Sequence, residues 1–364
     1  MQELETISLQ DFVGETLERH PCRERLFIGI GEMIIQVKSN SAALMTELRR
    51  YYQEFLCWES HEDILIHAIE APGVSFPLDL KAKQPDPGKS RIKEEFADLA
   101  DGRIVKKRLT GLWFLFNGWD NLAIGPCLAN PNQIVNFINN RFIERMLRGG
   151  GLLAHAAGVC LGENGLAIAG FSGSGKSSLA LHLLGRGASF VSNDRLMLAR
   201  RWNRLRMFGI PKHPRVNPGT LLSIPQLQGV IDPQERQGYA DLNPDELWTL
   251  ERKYDVLIDE IFGRKRFQLS AVMQGLLLLN WRRGGGDFSI RPTDIDRRQD
   301  LLAAFIKPPG LFFLPEELRT TPDFSPERYV EGLAGCQVFE AVGDVDFEGA
   351  AAFCMAFLDR RGPC

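Results

Sequence analysis

The sequence predicts an α/β fold with an α+β part ahead of it, and three features predict it. The apolar run Gly165-Leu166-Ala167-Ile168-Ala169 has the composition of a buried strand. It enters a glycine-rich turn, Gly170 to Ser177, and Ser178 to Leu184 leaves that turn with helical character. Upstream, strand-like and helix-like segments alternate until Gly149-Gly150-Gly151, where the organisation changes.

The α+β part begins with Arg25 to Val37 (RLFIGIGEMIIQV), a strand-rich stretch whose glycines predict a turn or bulge. Ser41 to Leu56 has helical spacing, with Leu44, Leu48, Tyr51, Tyr52 and Phe55 available to one face. Asp63 to Ile69 returns to strand, and residues 72–90, rich in Pro, Gly and Lys, predict a loop. Leu112 to Phe116 and Asn121 to Ile124 predict a hairpin turned by Asn117-Gly118. Pro131 suits a helix start, and Gln133 to Leu147 carries the helical period. The glycine triplet then ends the helix, so domains of 1–148 and 149–364 are expected. A second triplet, Gly284-Gly285-Gly286, predicts a turn, since no Lys-Ser pair follows it.

The turn itself, Gly170-Phe171-Ser172-Gly173-Ser174-Gly175-Lys176-Ser177, fits the Walker A phosphate loop (P-loop) G-x-x-x-x-G-K-[ST] at every fixed position. Glycines let the backbone approach clustered phosphates with its N–H groups, and they supply the torsions the turn needs. Lys176 reaches the β- and γ-phosphates, and the Ser177 hydroxyl ligates Mg²⁺. The helix leaving the loop aims its positive end at the same place. ATP and Mg²⁺ are the expected cofactors, held by Gly170, Ser172, Gly173, Ser174, Gly175, Lys176, Ser177 and Ser178.

Composition narrows the class. Hydrophobic content of 44% and charged content of 24% are those of an ordinary globular protein. The net charge of −3 recruits neither nucleic acid nor an anionic membrane. No apolar run approaches the roughly 20 residues that span a bilayer. The opening Met1-Gln2-Glu3-Leu4-Glu5 lacks the basic-then-apolar pattern of a secretion signal. Seven scattered cysteines, Cys364 among them, without a C-x-x-C pair, argue against a disulfide framework or a structural zinc site. A reducing cytoplasm is the expected compartment.

The surroundings of the loop resemble the catalytic domain of the HPr kinase/phosphorylase family. There a histidine precedes a G-x-x-G-x-G-K-S loop, and V-x-D-D follows after one helix. Here His155 opens HAAGVCLGENGLAIAG, Gly170 to Ser177 is the loop, and Gly185 to Asp194 gives the helix end and next strand. The match is closer to the HPr-kinase-related kinases, of type B by length, and its convincing part spans residues 151–200. The resemblance implies the kinase fold shared with phosphoenolpyruvate carboxykinases and phosphoryl transfer from ATP. It also implies a reverse, phosphate-dependent dephosphorylation and a homo-oligomer. The family's acidic pair stands here as Asn193-Asp194, and an amide cannot accept a proton or bring charge to Mg²⁺. The expected general base is therefore Asp194, oriented by His155, with Lys176 completing the catalytic set. A turn-capping role for Asp194 and a core position for His155 are the competing expectations.

Val256-Leu257-Ile258-Asp259-Glu260 has the form of a Walker B strand, which makes Asp259 and Glu260 candidate Mg²⁺ ligands; the alternative is a buried strand ending in surface acids. Lys212 and Arg215, stiffened by prolines in Ile210 to Gly219, can steady phosphate charge or form a solvated basic turn. Gly263-Arg264-Lys265-Arg266 is similar to the family's P-G-R-N segment, and the sequence does not separate Arg264 from Arg266. Asp346-Phe347-Glu348-Gly349 fits D-x-x-G by coincidence, Glu251 to Asp255 predicts a solvated helix end or turn, and Trp281 a core position. The expected activity is an ATP- and Mg²⁺-dependent kinase acting on an unidentified hydroxyl, of a protein serine or a small molecule. The alternatives are an ATPase in which Glu260 activates water, and a nucleotide sensor with degraded catalysis.

Overall fold

The computed structural model describes residues 8–59, 61–85, 90–243, 246–247, 250, 252–315 and 322–360. The acidic opening at residues 1–5, part of the 72–90 loop, Glu251 and Cys364 lie outside the described residues. The chain divides into two compact units, Met1–Arg145 with Pro309–Thr321, and Met146–Pro308 with Pro322–Cys364. The second part of the chain therefore lends residues from 309 onward to the first unit, an excursion that no glycine triplet marks.

The first unit holds one sheet, formed by β1 (Glu24–Ile30), β2 (Met33–Ser39), β3 (Ile64–Glu70), β4 (Lys81–Ala82), β5 (Glu94–Leu99), β6 (Gly102–Lys107), β7 (Trp113–Phe116) and β8 (Asn121–Gly125). Their order is β1-β2-β3-β8-β7-β6-β5-β4. The strand-rich stretch is the β1–β2 hairpin, in which Ile30 pairs Met33 and Gly31 takes the positive φ of 61° that so tight a turn requires. Helix α1 (Leu9–Arg19) precedes it, and α2 (Ala42–Tyr51) connects β2 to the parallel β3. The Ser41 side chain caps α2 by accepting from the Leu44 N–H.

The β7–β8 hairpin closes through residues 117–120, with Phe116 opposite Asn121. Asn117 works here through its side chain, Oδ1 accepting from the N–H groups of Trp119 and Asp120 at 2.7 and 2.6 Å, rather than through a two-residue Asn-Gly turn. Strand alternation divides the core. Trp113, Leu115, Leu122 and Ile124 pack with Leu9 and Val13 of α1. Phe114 and Phe116 meet Phe137 and Phe312. Phe137 belongs to α3 (Pro131–Arg148), which begins at the expected proline. It ends in a Schellman motif: Gly150 N–H donates to Leu147 O and Gly151 N–H to Met146 O, with Gly150 at φ 79°.

The second unit is a nine-stranded sheet built from β9 (Leu152–Ala154), β10 (Ala156–Leu161), β11 (Asn164–Ala169), β12 (Ser189–Ser192), β13 (Leu196–Arg201) and β14 (Arg204–Phe208). A separate pair, β15 (Arg215–Val216) and β16 (Tyr254–Asp255), precedes the last strands of the main sheet, β17 (Ser270–Leu279), β18 (Ser289–Pro292) and β19 (Gln337–Val342). The main path runs β12-β10-β11-β17-β14-β13-β9, and β19 joins β17 and β18. Its described helices include α4 (Lys176–Gly185), α5 (Pro218–Ser223), α6 (Pro233–Ala240), α7 (Ile258–Phe262), α8 (Gln299–Leu302), α9 (Pro326–Gly332) and α10 (Phe347–Leu358).

Two expectations need correction here. The supposed Walker B strand is α7, with Leu257 as its N-cap, and Tyr254–Asp255 is a strand rather than a helix end. The strand that lies parallel beside β11 is β17, whose end carries Asn280-Trp281 instead of acids. A three-residue apolar run followed by two acids fits a short helix as well as a strand, and here the helix wins.

Candidate phosphate-loop site

Pairing places the candidate residues at one edge of the second sheet. Ala156 of β10 lies opposite Ala169 of β11, and Gly158 lies opposite Ser192 of β12. The residue before β10, the loop after β11 and the turn after β12 thus share an edge, and they are His155, Gly170 to Ser177, and Asn193-Asp194. The parallel strands β17 and β19 end there too. The chain crosses between the two ends of the sheet twice, at His155 from β9 to β10 and at residues 193–195 from β12 to β13. Because β9 pairs with β13 and β10 with β12, the two crossings run side by side.

The loop's glycines answer specific demands. Gly175 is the N-cap of α4 at φ 92°, and a Cβ there would fall 2.7 Å from the Phe347 ring. Gly170 leaves no room for a Cβ either, with Ser174 Oγ at 2.6 Å and Leu279 O at 2.9 Å. The Trp281 indole N–H donates to Ser174 O at 2.8 Å, so the tryptophan expected in the core also fastens the loop. Lys176 is buried, and its ammonium donates to Gly170 O at 2.7 Å and Phe171 O at 3.1 Å. Burial pulls its pKa down and the Lys307 charge adds to that, against the opposing pull of Asp194. The first-turn N–H groups of α4 have no intrahelical acceptor, as at any helix start, and they point out of this loop.

Asp194 is the electrostatic centre of the edge. Its Oδ1 lies 2.9 Å from His155 Nε2, and its Oδ2 lies 3.4 Å from Lys307 Nζ. Burial raises its pKa, but the His155 hydrogen bond and the charges of Lys307, His155 and Arg195 outweigh burial and hold the carboxyl well below the usual range. His155 is itself fixed at its backbone, whose N–H donates to Phe305 O at 2.7 Å. Neighbouring Asn193 keeps its Oδ1 buried with no hydrogen-bond partner among the described residues.

Lys212 lies within electrostatic range of Asp194. Burial lowers its pKa, Arg195 and Arg215 reinforce the shift, and Asp194 and Asp255 oppose it. Arg215 pairs with Asp255 at 3.1 Å across the β15–β16 ladder. Ser178 spends its hydroxyl on Thr220 Oγ1 at 2.8 Å. Arg264 is exposed on a turn. Arg266 is a correction: its guanidinium donates to Leu184 O, at 2.8 Å, and to Ala188 O, closing the C-terminal end of α4. That end lies about 15 Å along the helix from the glycine-rich loop, so Arg266 does not reach the loop.

Asp259, now on α7, accepts from the Arg266 N–H at 3.0 Å, and Glu260 is exposed. Among the described residues no group of three or more His, Cys, Asp or Glu side chains could hold a metal ion. Mg²⁺ bound with a nucleotide needs no such group, since phosphates and waters supply most of its ligands. The loop and Ser177 have the chemistry such an ion would need. Asp346 proves to be the N-cap of α10, accepting from the Gly349 N–H at 2.9 Å.

Lys307 was missed from sequence. It arrives because Ile306 bridges Ala154 and the Lys307 N–H meets Leu153 O, a pairing between segments far apart in the chain. Cys22, Cys57, Cys127, Cys160, Cys336 and Cys354 are free, and no helix among the described residues is long and apolar enough to cross a membrane.

No family model and no curated protein matches the chain. Among solved structures, the HPr(Ser) kinase/phosphatase from Coxiella burnetii aligns at 14% identity and a TM-score of 0.28. The alignment covers 57% of this chain and 88% of that one. At that score the likeness carries no argument about function.

Proposed function

We propose that this chain is an ATP- and Mg²⁺-dependent kinase that transfers the γ-phosphoryl group to a hydroxyl of a protein serine or a small molecule. The observation that carries the proposal is the shared edge: the lysine of the phosphate loop and a carboxylate–histidine pair act on one another electrostatically. The N–H groups from Ser172 to Ser177 receive the phosphates, apart from that of Ser174, which donates to Phe171 O at 3.1 Å, and Lys176 exchanges the carbonyls of Gly170 and Phe171 for phosphate oxygens. Ser177 would hold Mg²⁺, which would neutralise charge on the phosphates. Lys212 adds positive charge at the edge.

Asp194 takes the proton of the acceptor hydroxyl as its oxygen bonds to phosphorus and the bond to the β-phosphate oxygen breaks, the electron pair leaving on ADP. A carboxylate held so far down is a weak base, but a loose phosphoryl transition state asks for orientation more than basicity. His155 fixes the carboxylate's direction.

A second reading, nucleotide sensing without transfer, is favoured by Asn193 standing where the resemblance places an acid. Incubation with γ-labelled ATP, Mg²⁺ and cell extract separates the readings. Label on an acceptor supports the kinase, extract-independent free phosphate an ATPase, and binding without turnover the sensor. Asp194→Asn is expected to lower transfer by roughly 10²- to 10⁴-fold while MgATP still binds. Lys176→Ala with unchanged nucleotide binding would sink the whole proposal.

A further inference from the structure

The segment that brings Lys307 to the site is pinned on both sides of the lysine's own position in the ladder. His155 N–H donates to Phe305 O at 2.7 Å, Ile306 bridges Ala154, and Lys307 N–H donates to Leu153 O at 3.3 Å. Residues 305–307 therefore run as an added strand beside 153–155, and Pro308 and Pro309 stiffen the backbone immediately after the lysine. The backbone of Lys307 is fixed, so its ammonium moves only on its flexible four-carbon stem.

That ammonium sits 3.4 Å from Asp194 Oδ2, while His155 occupies Oδ1. Both carboxylate oxygens carry a partner, so an acceptor hydroxyl would have to share one of them. The Asp194 side chain is 49% exposed and that of Lys307 25%, so solvent reaches the pair. Lys307 and Asp194 each act on the charge of Lys176, which places all three groups in one field.

We propose that Lys307 is a second phosphate-binding lysine, whose ammonium passes from Asp194 Oδ2 to the terminal phosphate of a bound nucleoside triphosphate and so frees that oxygen for the acceptor hydroxyl. The exchange follows from charge. A terminal phosphate with its partial double charge attracts an ammonium more strongly than one carboxylate does, and the flexible stem lets the ammonium follow that attraction. A nucleoside diphosphate, lacking that group, leaves Lys307 where it is. Asp194 thus becomes available only with the transferable phosphate in place. This inference rests on the nucleotide reading of the loop proposed above.

Calorimetric titration of the full chain with MgATP and with MgADP tests it. Lys307→Ala is expected to weaken MgATP by roughly tenfold and to leave MgADP within twofold. Lys307→Arg should keep most of the MgATP affinity. Lys307→Gln, which keeps length and a donor for Asp194, gives the same ATP-selective loss if the alanine variant does not fold. Asp194→Asn should tighten MgATP severalfold, and this gain should vanish in Asp194→Asn/Lys307→Ala. Equal losses for the two nucleotides, or no loss for either, overturn the role of Lys307 while leaving the loop reading intact. A wild-type protein that binds neither nucleotide overturns both.

Discussion

Gly175→Ala is the sharpest probe of the loop geometry, because two separate penalties meet at one position. Gly175 adopts φ 92°, where an L side chain costs about 1–2 kcal/mol. A Cβ would also lie 2.7 Å from Phe347 Cζ and 2.8 Å from its Cε1. The ring cannot simply swing away, since it stacks on His182 at 5.3 Å and meets Trp281 edge-on at 5.3 Å. Overpacking of this kind costs about 1–3 kcal/mol, so the variant is expected to lose about 2–5 kcal/mol in all. Phe347→Leu by itself should cost about 1 kcal/mol, as a shape change that keeps the site apolar. In the double variant the overlap disappears while the torsional strain remains. The combined loss should therefore fall short of the sum by about 1–3 kcal/mol. Urea unfolding of the four proteins supplies the cycle. Losses that add to within about 0.5 kcal/mol would refute the packing of Phe347 against the loop. A Gly175→Ala protein as stable as wild type would refute the torsion as well.

Two further outcomes concern groups outside the loop. Arg266→Met should cost about 1.5–3 kcal/mol by leaving Leu184 O and Ala188 O without their charged donor, and should leave MgATP affinity within twofold; a selective loss of nucleotide affinity would return Arg266 to the phosphates. His67 lies directly opposite Lys38 in the β2–β3 ladder, and burial together with that charge lowers its pKa to about 4 against the opposing effect of Asp120. The unfolded chain protonates this group near 6.5 and the folded one near 4, so its stabilising contribution is complete above the first value and is lost as pH falls toward the second. After allowance for partial exposure the loss is about 1–2 kcal/mol, and His67→Gln should remove that part of the acid sensitivity between about pH 7.5 and about pH 4.5. An unchanged pH slope in the variant would show that His67 is not the group responsible.

The parts of the site that could be read ahead are those written in adjacent residues. A strand, a glycine turn, Lys176-Ser177 and a helix follow one another without interruption, so the loop is local information. Asp194 and His155 could be nominated because the resemblance sets a histidine before the loop and an acidic pair after it, but their 2.9 Å contact depends on two chain crossings running side by side. Lys307 carried no local signal at all. It is placed by a bridge between Ile306 and Ala154, and only the closure of the sheet brings those residues together. The Walker B expectation failed for the opposite reason. Val256 to Glu260 looks complete in itself, yet the strand position beside β11 is filled by Ser270–Leu279, a longer apolar run without terminal acids. The excursion of residues from 309 into the first unit was equally silent, because the aromatic partners of Phe312 are Phe114, Phe116 and Phe137, 175 to 198 positions earlier in the chain.

The same edge explains why an amide at position 193 is compatible with phosphate chemistry. Lys176 and Lys307 already face a single carboxylate, Asp194, whose two oxygens are taken by His155 and Lys307. A second acid at 193 would sit beside Asp194 and raise its basicity by like-charge repulsion, as paired carboxylates do. It would also weaken the net attraction of the edge for a phosphate. With Asn193 the balance would shift toward holding an anion, and in the proposed exchange the basicity of Asp194 would depend on how His155 and Lys307 redistribute when that anion arrives. Under the exchange proposed for Lys307, basicity that appears only on substrate binding would differ from a base kept ready, and the control of proton transfer would lie in Lys307 rather than in a second acid.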